Sequence, residues 1–153
     1  INAYDYLNKE FFLVNGDTLF NISFKDLEKN FFKKKTNLIT ACHFSKKSIN
    51  KFTYTFNEKN KLIDYKISKN KKNWISGGIY IFKKKIFKNF KTKLLDLDRE
   101  IIYNQFKKKK IFAKKYYNSF IDIGTKSDLK KAKNIVPRII KKSILVEYEN
   151  FID

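Results

Sequence analysis

One proline, four glycines, one cysteine, one histidine and no methionine occur in 153 residues, and each scarcity closes a possibility. A lone Cys42 rules out a scaffold stapled by internal disulfides and fits a reducing, cytoplasmic setting. A lone His43 leaves nothing from which to build a histidine metal cluster. Cys42 and His43 are neighbours on a β-rich run, so alternation sends them to opposite faces and not into a nucleophile–base pair. Four glycines, at 16, 77, 78 and 124, are too few and too scattered for a Gly-rich phosphate loop. No apolar run approaches the roughly 18–20 residues of a membrane span, and the first residues do not read as a secretory leader. With no initiating methionine, and a start inside what reads as a helix, the chain is expected to be a piece of a longer one.

Negative charge is scarce too. Fifteen acidic residues face 35 basic ones, giving a formal charge of +20. Such a balance often marks a nucleic-acid binder, yet Arg99 and Arg138 are the only arginines and the remaining 33 basic residues are lysine. Arginine is the usual base-reading residue. Lysine in company with abundant Asn, Ile, Phe and Tyr instead fits coding bias, so neither a membrane nor a specific nucleic-acid partner is expected.

What is present is a globular core. Hydrophobic residues reach 42% and aromatics 17%, against wholesale disorder, and the length suits one domain. The stretch 11–18 (FFLVNGDT) reads as a strand buried on both faces, as in the middle of a parallel sheet. Gly16 then lets the chain turn, which puts Asp17 at the carboxyl end of the strand, where open α/β sheets hold ligands. Asn, Gly and Asp are also ordinary turn formers; a turn residue and a metal ligand both remain open for Asp17. A second short strand, 120–123, carries Asp122 near its end, and Thr125 with Asp128 has the spacing of a helix cap. Two strand-end carboxylates beside glycines suit Mg²⁺ serving a phosphate substrate, because that hard cation takes one or two carboxylates and completes its shell with phosphate and water.

Between these points, residues 2–8 read as the end of a helix. Ser23 caps a helix to Lys33, with Phe24, Leu27 and Phe31 spaced for burial. Residues 37–44 read as a core strand, and 51–56 with 61–67 as a hairpin around Asn57–Asn60. Lysines 66 and 69 end that hairpin, where they can meet a phosphate as point charges or form a solvated loop. Residues 73–82 are strongly β; Ser76, Gly77 and Gly78 at their centre suit either close approach of a ligand or a β-bulge. A short basic helix or turn is expected at 83–90, a helix at 98–106 capped by Asp96 or Asp98, strands at 111–113 and 119–123, and a helix at 125–134, after which Pro137 ends the domain.

Four stretches in order, 11–20 (FFLVNGDTLF), 75–82 (ISGGIYIF), 97–101 (LDREI) and 120–132 (FIDIGTKSDLKKA), together resemble the sugar-1-phosphate nucleotidyltransferases, and most nearly the guanylyltransferases acting on heptose or mannose 1-phosphate. The resemblance implies a Rossmann-like three-layer α/β fold with a mixed, mainly parallel sheet. It implies transfer of a nucleotidyl group from NTP, GTP by nearest likeness, to a sugar 1-phosphate with release of pyrophosphate, for cytoplasmic synthesis of lipopolysaccharide or capsule precursors. On it, Asp17 and Asp122 become Mg²⁺ ligands and catalytic residues, and Asn15, Gly16, Lys66, Lys69, Ser76, Gly77 and Gly78 become substrate contacts. Residues 1–137 would be the carboxyl-terminal portion of the transferase domain. The family's amino-terminal Gly-rich loops, which hold the triphosphate and the base, are not in this sequence; a catalytically inactive remnant, or a basic nucleotide- or nucleic-acid-binding module of the same fold, is the rival reading. The tail 138–153 bears a second resemblance, to the first strand of a haloacid-dehalogenase-like domain, with Glu147 and Glu149 in place of its aspartates; no phosphatase activity is expected. Oligomeric state, including a homo-oligomer, is left open.

Overall fold

The computed structural model describes residues 3–88, 90 and 96–149, the side chains of 141–149 excepted. They fall into two compact units: residues 1–14 with 23–117, and residues 15–22 with 118–153.

The larger unit is built on a six-stranded sheet in the order β5-β4-β6-β3-β7, with β1 also paired to β6. Its strands are β1 (Glu10–Val14), β3 (Leu38–Ser45), β4 (Phe52–Phe56), β5 (Leu62–Ile67), β6 (Asn73–Lys83) and β7 (Ile111–Lys115). The longest strand, β6, organises the rest. One of its edges runs along β3, while the other is shared between β4 at Trp74 and β1 from Ile79 to Lys83. The sheet is mixed as expected, but among the described residues only β3 and β7 pair in parallel. Strand β6 returns antiparallel between β1 and β3, and the β4–β5 hairpin adds a further antiparallel pair. The reading of β1 as a strand buried on both faces is corrected likewise. It has β6 as its partner in the sheet, and its alternate residues Phe12 and Val14 are 39% and 49% exposed. Four consecutive apolar residues look the same at a sheet margin as at its centre.

Alternation along β3 explains the layers. Leu38 and Cys42 enter a cluster with Tyr54, Tyr65, Tyr80 and Phe82, covered by Ile101 and Ile102. Ile39 and Ala41 point to the opposite face and are equally buried. Helix α1 (Phe24–Lys33) packs on β3 through fully buried Leu27 and Phe31. Ser23 Oγ caps it by accepting the Asp26 N–H, as the spacing predicts. The Asp26 carboxylate accepts from Lys114 Nζ and, at 2.7 Å, from Tyr116 Oη, pinning α1 to the end of β7. These two donors hold the Asp26 carboxyl below the ordinary aspartate range, whereas burial and that same carboxylate push the Tyr116 phenol up.

The hairpin turn forms as the sequence indicates. Asn60 takes a left-handed φ of 55°, and Asn57 Oδ1 accepts the Lys61 N–H. The expected helix over 98–106 begins instead with a π-helical segment, Leu97–Ile102, that continues as α2 (Tyr103–Lys107). Asp96 is its cap, accepting from Arg99 N–H, and Glu100 accepts from Asp96 N–H. The returning glutamate sits one position later than in an ordinary capping box, consistent with the wider π winding. Residues 4–6 form a single 3₁₀ turn where a longer helix end was expected.

In the smaller unit, β2 (Thr18–Phe20) and β8 (Phe120–Asp122) form a two-stranded antiparallel ribbon. Phe20 and Phe120, in register, meet edge to face at 5.5 Å. Helix α3 (Lys126–Glu149) follows, with Thr125 Oγ1 accepting from Asp128 N–H and donating to the Asp128 carboxylate. The helix expected to stop at 134 runs on through Pro137, and the tail expected as a strand is helical to Glu149. Proline removes one N–H and leaves the Lys133 carbonyl without its helical donor, a local loss that a helix can absorb as a kink.

Candidate functional site

The candidate residues are distributed over both units. In the smaller one the register Thr18↔Asp122 makes β2 and β8 immediate neighbours, and Ile123 N–H donates to the Asp17 carbonyl at 2.9 Å. Asp17 and Asp122, far apart in sequence, therefore stand one step apart across a strand pair. Asp17 lies in the turn with Asn15 and Gly16, all three exposed, and Asp122 is half-buried. Asp122 Oδ1 accepts the Gly124 N–H at 2.8 Å, which fixes the carboxylate over its own turn. A methyl group at Gly124 would lie 3.1 Å from that oxygen, so the glycine beside Asp122 clears room for this bond. Nothing lies within 4 Å of a Cβ built at Gly16.

A groove of about 420 Å³ is lined by Asp17, Thr18, Ile121, Leu129 and Val136 among others, and Asp122 is not part of its lining. Thr18 Oγ1 is buried there without a hydrogen-bond partner among the described residues. No cluster of three or more His, Cys, Asp or Glu suited to a metal occurs among the described residues. A carboxylate in the turn before β2 and another at the end of β8 are nevertheless oxygen donors of the kind Mg²⁺ takes, its shell completed by phosphate and water, and they offer none of the nitrogen and sulfur that structural zinc sites use.

In the larger unit the Ser76-Gly77-Gly78 segment lies at a register shift between β3 and β6, between Thr40 and Cys42. Gly78 has φ 74°, a left-handed conformation that side chains strain. Gly77 and Gly78 are buried and Ser76 is half-buried. Ser76 Oγ donates to Tyr80 Oη at 2.7 Å, accepts from Gly78 N–H at 3.0 Å, and lies 3.4 Å from Thr40 Oγ1. A hydroxyl has one hydrogen and two lone pairs, so these contacts occupy most of what Ser76 can offer. Lys66 is ion-paired to Asp64 at 2.6 Å on the surface, a pairing worth about 0–1 kcal/mol and easily given up. Lys69 is exposed in the loop after β5.

Sequence reasoning missed two features here. Thr40 and Tyr80 buttress the Ser76 turn, a role legible only once the bulge brings residues 76 and 80 together. Asp98, considered as a cap, is turned inward and accepts the Tyr65 O–H. Burial raises its pKa, with Tyr65 opposing and Asp96 adding to the rise. Cys42 is fully buried and its thiol is pushed far up by burial, so it has no nucleophilic role.

No family profile matches the chain. Its fold is that of solved sugar-phosphate nucleotidyltransferases. It superposes on HddC from Yersinia pseudotuberculosis with a TM-score of 0.67 at 20% identity, over 86% of this chain and 57% of that one. It superposes on a putative glucose-1-phosphate thymidylyltransferase from Bacillus anthracis with 0.73 at 16% identity, over 88% and 57%. In sequence it is 31% identical over 129 residues, 80% of its length, to the D-glycero-alpha-D-manno-heptose 1-phosphate guanylyltransferase of Campylobacter jejuni. The chain belongs to the sugar-1-phosphate nucleotidyltransferases, and it spans about half the length of the relatives it matches, 54% of the Campylobacter protein.

Proposed function

We propose that this chain carries the sugar-phosphate and metal-binding part of an enzyme that transfers a guanylyl group from GTP to heptose 1-phosphate, or to a close hexose analogue, and releases pyrophosphate. The observation that supports the reading is the β2–β8 pairing, in which Asp122 stands opposite Thr18 and Ile123 N–H donates to the carbonyl of Asp17, the residue before Thr18. The Campylobacter relative's guanylyltransferase name supports the choice of substrate, as does the complex of Yersinia HddC with GMP-PN.

In this reading a phosphate oxygen of the sugar 1-phosphate attacks the α-phosphorus in line, and pyrophosphate departs. No side-chain nucleophile is needed; positioning and charge neutralisation supply the catalysis. Asp17 and Asp122 are the residues that would hold Mg²⁺, which when bound supplies charge neutralisation to the phosphate oxygens. Asn15 and Gly16 leave the backbone before Asp17 open to the substrate. In the larger unit, Lys66 and Lys69 are cationic candidates for contacting a sugar phosphate, and Ser76, Gly77 and Gly78 are candidates for contacting the sugar.

The test is calorimetric titration of the chain with mannose 1-phosphate and with heptose 1-phosphate, with and without Mg²⁺. Binding that strengthens with Mg²⁺, and loses that dependence in Asp17→Asn and in Asp122→Asn, is expected. Binding indifferent to both substitutions would refute the metal site. Tighter binding of single-stranded DNA than of either sugar phosphate would favour the rival reading of a basic binding module.

A further inference from the structure

The chain contains three runs of three or more consecutive lysines, at 33–35, 83–85 and 107–110. The fold gathers all three at one end of the large sheet, where β6 finishes and β1, β3 and β7 begin. Backbone bonds join them directly. Asn37, two residues after the first run, accepts from Lys83 N–H at 2.8 Å and donates to the Lys110 carbonyl at 2.9 Å. Lys84 N–H donates to the Lys9 carbonyl at 2.7 Å, which adds Lys9 to the row.

Coding bias accounts for lysine in general, but not for the convergence of every such run on one surface. Residues 33–37, 83–88 and 107–110 carry no carboxylate; Glu10, after Lys9, stands in register with Lys83, yet none of the lysines in the row makes an ion pair among the described residues. Several are steadied by aromatic rings instead: Lys34 lies over Phe112, Lys83 over Phe31, Lys84 over Tyr4 and Lys107 over Tyr103. Such contacts hold the aliphatic stems while leaving the ammonium charge unneutralised. Phe32, 56% exposed, sits beside the first run, and Tyr6, 89% exposed, lies three residues before Lys9.

We infer that this lysine-rich end of the sheet is a docking surface for an anionic lipid bilayer. Neither arginine of the chain belongs to it, so the bidentate fork that reads bases or clamps single phosphates is missing. Compact ammonium groups spread over adjacent turns suit a diffuse negative surface, to which each nearby lysine contributes about 1 kcal/mol of attraction. Exposed Phe and Tyr among lysines are the composition of a membrane-interface contact. The contact is peripheral: no described helix is long and apolar enough to cross a membrane. This inference is independent of the proposed catalytic reading.

Co-sedimentation of the chain with phosphatidylcholine vesicles containing 30% phosphatidylglycerol, about 0.1 M salt, tests it. Binding is expected to the mixed vesicles and not to pure phosphatidylcholine. The triple variant Lys33→Gln, Lys34→Gln, Lys35→Gln should bind about tenfold or more weakly, given the attraction per lysine. The control Lys46→Gln, Lys47→Gln, Lys71→Gln removes the same charge elsewhere and should lose less than threefold. Phe32→Ser, with the net charge unchanged, should weaken binding a few-fold, and circular dichroism verifies that each variant is folded. Equal losses in triple variant and control would overturn the inference, because charge alone would then suffice. So would absence of binding by the unaltered chain, or displacement from vesicles by equimolar single-stranded DNA, which would make the partner a nucleic acid. Should the 33–35 variant misfold, Lys108→Gln with Lys109→Gln, both exposed in the turn before β7, takes its place with the same expected direction.

Discussion

Gly78 offers the sharpest test of how the Ser76 turn is held. Its φ of 74° costs a side-chain-bearing residue about 1–2 kcal/mol. The position is buried, and its N–H is bound by Ser76 Oγ. Displacing the turn enough to relieve a β-branched side chain sacrifices that bond, a further 0.5–1.5 kcal/mol or so. Gly78→Val should therefore destabilise the larger unit by about 2–3 kcal/mol, while Gly78→Ala, which carries mainly the backbone cost, should lose about 1–2 kcal/mol. Urea unfolding followed by the fluorescence of Trp74 measures both. The midpoint should fall in the order glycine, alanine, valine with the slope unchanged. A valine variant within about 0.5 kcal/mol of the parent would show that neither the left-handed conformation nor the hydroxyl bond constrains the turn. A loss of sugar-phosphate binding in the alanine variant, with the fold retained, would tie the turn to the proposed site.

Asp98→Asn keeps an acceptor for Tyr65 while removing a charge that burial disfavours. Because the folded pKa of Asp98 is raised, its contribution is fully present below the unfolded value and is lost as pH rises through the folded one; the Asn variant should lack that decline and gain relative stability at neutral pH in thermal melts. Asp26 has the opposite sign. Its lowered pKa gives stability above the unfolded value that disappears as pH falls through the folded one, so Asp26→Asn should flatten the acid limb, and an unchanged limb would discount the Lys114 and Tyr116 bonds. Gly124→Ala should crowd Asp122 Oδ1 and weaken Mg²⁺-dependent binding of a sugar 1-phosphate more than it lowers stability. The chain by itself, without Gly-rich triphosphate loops in its sequence, should not release pyrophosphate from GTP and a sugar 1-phosphate; robust turnover in a coupled phosphate assay would contradict this.

Local chemistry was legible where it is self-sufficient. The Ser23 cap with Leu27 and Phe31 fixed α1 to the residue, although Phe24, expected to be buried with them, is 45% exposed; the Asn57–Asn60 turn defined its hairpin, because those signals need no distant partner. Thr125 and Asp128 formed their cap for the same reason. What required the tertiary context was misjudged or missed. Phe11–Val14 is equally apolar at a margin and at a centre, so its partners could not be read from it. Pro137 blocks one hydrogen bond and does not by itself terminate α3. Asp17 was read as ending the strand over 11–14, but it lies in the turn that follows, and Asp122's strand pairs with β2 beyond that turn and not with β1. The Thr40–Ser76–Tyr80 contacts depend on a register shift that nothing in the strand's own residues announces.

The solitary thiol makes the molecule its own reporter. Cys42 sits at zero exposure in the sheet of the larger unit, and no other sulfhydryl competes with it. A thiol reagent such as Ellman's can reach it only when that sheet opens, so the labelling rate under native conditions reads the opening free energy directly. The reading is specific to one unit, since the β2–β8 ribbon and α3 contain no thiol. Comparing labelling with helix loss by circular dichroism therefore distinguishes a molecule that melts as a whole from one whose ribbon unit comes apart first.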